Sequence, residues 1–211
     1  MTQELGKIGK PEASNFSKGR KLLLISLIYA GKDAPPEYME RFELYWKQVS
    51  EQIEKLESKL GKVTRIFHES ISTGGEDGLK VIEKLNPKSY LLAKQKLQNN
   101  AILEVVEDKE LAEESMDWER CLFIGFFSDK VTKKVSEFYV EAFRKRYAHM
   151  SKRIDETLQP GGIAILFARE GNLLQFPKDI EVFSIAPPAL DEVHRWVRDQ
   201  AAKNERLKEA S

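Results

Sequence analysis

KLLLISLIY, residues 21–29, decides the fold. Its apolar residues run almost without a break, which marks a strand covered on both faces rather than one half open to water. GKDAPPEY (31–38) ends the run, and Pro36 stands where a helix accepts proline, in its first turn. From Glu37 to Leu60 the apolar positions Phe42, Tyr45 or Trp46, Val49, Ile53, Leu56 and Leu60 recur at three- and four-residue steps, which predicts a helix stopped by Gly61. Val63–Phe67 is again a short apolar run. Strand, helix and strand in that order describe a crossover unit, and crossover units build parallel sheets.

Further along, helices are expected at about Glu76–Leu85 and from Pro87 to about Gln98, with a third strand in AILEVVED (101–108). Lys109–Phe127 begins as a helix and ends in CLFIGFF (121–127), read here as more helix. Ser128 and Asp129 stand as a cap for a long helix reaching about Leu158. IAILFA (163–168) and IEVFSIA (180–186) are the fourth and fifth strands, and Pro187-Pro188 open a last amphipathic helix from Ala189 to about Asn204. The expected fold is α/β: a mainly parallel sheet of about five strands in a three-layer sandwich, with a helical insertion at about 108–158 between strands 3 and 4. Residues 1–20 read as a polar tail, and 21–211 as a single domain.

Composition narrows the function classes. Lys plus Arg and Asp plus Glu number 34 each, so no overall basic footprint for nucleic acid exists. Charged residues make up 32% and hydrophobic ones 41%, enough of the latter for a core. The single cysteine, Cys121, allows no intramolecular disulfide and suits a reducing compartment. The longest apolar run has strand length, well below the roughly 18–20 residues that span a bilayer. A soluble cytoplasmic protein without a membrane partner is expected.

The stretch VTRIFHESISTGGEDG (63–78) invites two readings. Ligands of open parallel sheets sit beyond the carboxyl ends of the strands, and His68 and Glu69 occupy that place after the second strand. They are therefore the candidate catalytic acid/base pair, with Arg169 and Glu170, after the fourth strand, as candidate ligand-binding residues. The competing and preferred reading is architectural: Thr73 and Glu76 match a capping box, and Gly74 and Gly75 serve the turn. Glu76 and Asp77 would also repel a phosphate from that helix start.

Other chemistries lack their marks. His68, His149 and His194 fall in no metal-binding pattern, so no metal and no cofactor are expected. No G-x-S-x-G elbow is present, the first strand is not followed by G-x-G-x-x-G, and Cys121 lies among apolar neighbours. Charge is unevenly placed: residues 104–119 are acidic, whereas the long helix is basic. Arg144, Lys145 and Arg146, with aromatic neighbours in FRKRY (143–147), are the candidate nucleic-acid contacts, ranked behind pairing between acidic and basic helices.

The blocks LLISLIYAG (23–31), RIFHES (65–70) and FRKRYAHMSKRIDETL leading into GGIAILFA (143–168) make the arrangement resemble the TraB and erythromycin-esterase-like hydrolases. That resemblance implies a hydrolase with an acidic residue after the second strand, matched by Glu69, and a His after both the first and the late strand. At those places stand Tyr29, Ala30 and Gly31, and Ala168, Arg169 and Glu170, so the chain is not assigned to that group.

The leading expectation is a self-associating binding module, a homo-oligomer with a dimer as the first expectation. Its interface is the long helix (about Ser128–Leu158) or the helix bearing Trp46, since Phe138, Tyr139, Phe143 and Tyr147 spread over more than one helix face. A small-molecule hydrolase using Glu69 and His68 is the alternative, and a nucleic-acid binder ranks third.

Overall fold

β1 (Arg20–Ser26) has no hydrogen bonds to β2 (Arg65–His68), although only one helix separates them in the chain. In the computed structural model, which describes residues 19–209, the five strands lie in the order β3-β2-β4-β1-β5 and all run parallel. β3 is Ile102–Glu104, β4 Ile163–Ala168 and β5 Ile180–Ile185. β4 threads between β1 and β2, pairing Leu22 with Ala164 on one side and Ile66 with Ile165 on the other. The fourth and fifth strands thus flank β1 rather than each other. The fold class is α/β, as expected.

Alternation along the strands explains why the apolar runs are continuous. Leu23 and Ile25 of β1, with Ile163, Ile165 and Phe167 of β4, enter one core. Leu22 of β1, with Ala164 and Leu166 of β4, enters the other. β4 and the middle of β1 are apolar at every position because the elements packed on both sides of the sheet cover both of their faces.

The first core is roofed by α1 (Pro36–Leu60), α2 (Gly75–Leu85), α3 (Pro87–Gln98) and α6 (Pro188–Glu209), through Phe42, Val49, Ile53, Ile82, Leu92 and Val193. The second is roofed by α5 (Asp129–Thr157), through Tyr147, Met150 and Ile154, and by the loop after β4, through Leu174 and Phe176. α4 (Lys109–Ile124) packs against α5 as the other arm of a hairpin, and both lie between β3 and β4. Truncating Ile53, Ile82, Met150 or Ile154, which are fully buried, to alanine costs about 2–5 kcal/mol.

Local signals mostly act as read. Pro36 and Pro187-Pro188 open helices, and Gly61 ends α1 at a φ of 113° that disfavours a side chain. Three readings need correction. The expected capping box does not form: Gly74, not Thr73, is the N-cap of α2, and no side chain caps it. The third strand is three residues long, because Val106 turns into the second core and Glu107 into an ion network instead of continuing the ladder. CLFIGFF is helical only to Ile124, and its Phe123, Ile124 and Phe127 face solvent. The expected tail, 1–20, lies outside the described residues except for Gly19 and Arg20, and Arg20 already belongs to β1. Among the described residues no helix is long and apolar enough to cross a membrane.

Candidate functional site

Three strands deliver ionisable residues to the carboxyl edge of the sheet. β2 is followed by Glu69, the segment after β3 carries Glu107, and β4 is followed by Arg169. From above, α5 lowers Arg146 and Tyr147 onto them. Both reach inward because they belong to the stripe that runs from Ala142 through Met150 and Ile154 at helical spacing.

Glu69 is almost fully buried and accepts four hydrogen bonds. Its Oε1 receives the Tyr147 hydroxyl at 2.9 Å, Arg169 Nε at 2.7 Å and Arg146 Nη2 at 3.3 Å. Its Oε2 receives the backbone amide of Arg169 at 2.6 Å. Glu107 is held by Arg146, whose Nε lies 3.1 and 3.0 Å from its two oxygens and whose Nη2 also donates to it. Ser70, in a left-handed conformation at φ 72°, adds its amide to Glu107 at 2.9 Å. That conformation is uncommon for a residue with a side chain, and here it directs an N–H at a buried charge. Arg169 reaches outward to Glu119 of α4 at 3.2 Å.

Two carboxylates and the Arg146 guanidinium are thus buried together, and the partly exposed Arg169 closes the group from outside. Burial opposes the charge on Arg169 and Arg146, but Glu69 and Glu107 outweigh it, so both stay cationic above their usual range. Burial first, and then the Glu69 charge, push the Tyr147 hydroxyl well above the ordinary tyrosine value, so it remains a proton donor. The hollows beside Trp46, Val140, Asn86, His194 and Arg195 are not lined by Glu69, Glu107 or His68.

The expected site residues divide. Glu69 and Arg169 come together. His68 turns to the other face, where Nδ1 lies 2.5 Å from the Glu69 carbonyl and Nε2 3.0 Å from Ser89 Oγ. A carbonyl only accepts, so Nδ1 carries the proton, while the single Ser89 hydroxyl proton has two acceptors within reach, Nε2 and the Asn86 carbonyl at 3.0 Å. Burial, which outweighs the Glu69 carbonyl and charge, lowers the His68 pKa to about 4 and keeps the ring neutral. His68 and Glu69 therefore do not converge as an acid/base pair. Glu170 pairs instead with His194, at 2.8 Å.

Of the basic trio, Arg144 is exposed and Lys145 pairs with Glu141 at 2.7 Å. Arg146 is buried in the network and is withdrawn as a nucleic-acid contact. Sequence reasoning missed Glu107, Tyr147 and Glu119. Glu107 was findable by the rule that found Glu69, since it is an acidic residue just past a buried strand.

Comparison with family models, curated proteins and solved structures finds no match to this chain.

Proposed function

We propose that this protein is a self-associating interaction module that docks through the tip of the α4–α5 hairpin. The observation that carries the reading is apolar: at the Gly125 turn, Phe123 and Ile124 are 85% and 79% exposed, and Phe127 is wholly exposed. Burying one such side chain is worth about 1.5–3 kcal/mol, so three adjacent ones are a strong drive to association.

The hairpin has the form of an arm. Every buried residue of α5 lies at Ala142 or beyond, so its first thirteen residues (129–141), roughly 20 Å of helix, bury no side chain fully. Trp118 stacks on Phe138 at 4.9 Å and holds the two helices together. At the base, the Glu69–Arg146–Glu107 network fixes α5 to the sheet, so its polar chemistry supports a mounting role better than a hydrolytic one.

Charge favours a second copy as the partner. Among the described residues, Glu110 and Glu114 of α4 and Lys130, Lys133 and Arg144 of α5 form no ion pair within the chain. In a two-fold arrangement the same patch meets itself, so α4 of each copy can lie along α5 of the other with opposite charges facing. Sedimentation at micromolar concentration tests the reading: a dimer that Phe123→Ser/Phe127→Ser converts to monomer is expected, and a strictly monomeric wild type would overturn it.

A further inference from the structure

A hollow of about 490 Å³ opens at the carboxyl edge, apart from both the buried network and the hairpin. It lies where β1 and β4 end side by side. β1 leads into α1 over the first core, whereas β4 leads into a loop whose Leu174 and Phe176 pack on the second. Neighbouring strands whose continuations part to opposite faces open a crevice, the usual seat of a ligand in an open parallel sheet. The volume falls in the range of small-molecule sites, roughly 300–1,000 Å³.

The walls divide by chemistry. Leu27 and Ile28 beyond β1, with Val193, Val197 and Ala201 of α6, form an apolar lining. Glu170, His194 and Arg198 supply the polar groups. Glu170 is already engaged, since His194 Nε2 lies 2.8 Å from its Oε2. Arg198 stands one helical turn beyond His194 and forms no ion pair with any described residue. An apolar wall beside an unpaired guanidinium matches an organic acid, because the planar fork takes a carboxylate through two parallel hydrogen bonds.

We propose that this hollow binds a small organic acid, with the apolar body against Leu27, Ile28, Val193 and Val197 and the carboxylate on Arg198. The His194–Glu170 hydrogen bond closes one rim. Tyr29, which is half exposed, also borders the hollow. The site does not depend on the hairpin or on self-association.

The test uses the full chain and two probes of one shape, 3-phenylpropanoate and its neutral amide, by titration calorimetry. The acid is expected to bind about tenfold or more tightly than the amide. Arg198→Gln, a change on an exposed side chain, should reduce the acid to the affinity of the amide, and Val197→Trp, which fills the hollow, should abolish both. Phe123→Ser/Phe127→Ser should leave both affinities unchanged, which separates this site from the hairpin. No heat from either probe at about 5 mM, equal binding of acid and amide, or an Arg198→Gln chain that still prefers the acid would each overturn the proposal.

Discussion

Arg146 grips Glu107 with two nitrogens, and neither side chain is more than 1% exposed. The pair joins the middle of α5 to the segment leaving β3, and through Nη2 it also reaches Glu69 after β2. Two elements of the sheet and one helix therefore share a single guanidinium.

Removing that guanidinium leaves Glu107 buried and uncompensated. Arg146→Ala is expected to lower stability by about 3–5 kcal/mol, measured by urea unfolding. Arg146→Met/Glu107→Leu, which removes both charges and keeps volume, should recover at least half of the loss. A single-variant loss below about 1 kcal/mol would mean that the network does not hold α5 in place.

His68 should make stability depend on pH. The unfolded chain takes up a proton near pH 6.5, whereas the native ring resists it down to about 4. Between those values the unfolded state binds more protons, so stability falls as pH is lowered through the window, by roughly 3 kcal/mol in all. His68→Asn keeps a donor for the Glu69 carbonyl but does not titrate. Its stability should decline less steeply than wild type between pH 6.5 and 4, and parallel curves would rule out a buried neutral His68.

Gly78 offers a test in which helix propensity gives the wrong sign. Alanine normally stabilises a helix over glycine by about 0.8–1 kcal/mol. Here a Cβ would lie 2.3 Å from the Thr73 carbonyl oxygen, backbone that cannot step aside cheaply. Gly78→Ala should therefore lower the melting temperature, and an increase would show that the turn before α2 yields.

The hairpin variant separates association from folding. Phe123 and Phe127 contribute to neither core, so Phe123→Ser/Phe127→Ser should leave the unfolding midpoint of dilute protein within about 0.5 kcal/mol of wild type while abolishing the dimer. High salt should weaken association of the wild type as well, if α4 and α5 face each other across the two-fold axis. A large loss of stability in the variant would instead place the tip in the fold's own packing.

Elements were legible where one physical demand dominated. Leu22–Ile25 and Ile163–Ala168 must be apolar at every position, and they read as strands at sight. Strand order was not legible, because placing β4 between β1 and β2 depends on packing between distant segments. Glu69 and Arg169 were found because each directly follows a buried strand. Arg146 was misread because FRKRY looks like one basic patch, yet successive helical residues point about 100° apart. The steps from 146 to 150 to 154 already set Arg146 on the side of Met150 and Ile154, away from Arg144 and Lys145.

The position of β1 has a consequence during synthesis. β1 bonds to β4 and β5, so among the described residues up to 160 the one strand pair available is β2 with β3. At ribosomal speeds, Leu22–Ile25 leaves the tunnel on the order of 10 s before β4 can reach it. During that interval an oily, unpaired strand is open to other nascent chains. Holding factors that shield such segments should therefore raise the yield of folded protein, and release truncated near residue 160 should produce aggregates rather than a folded half.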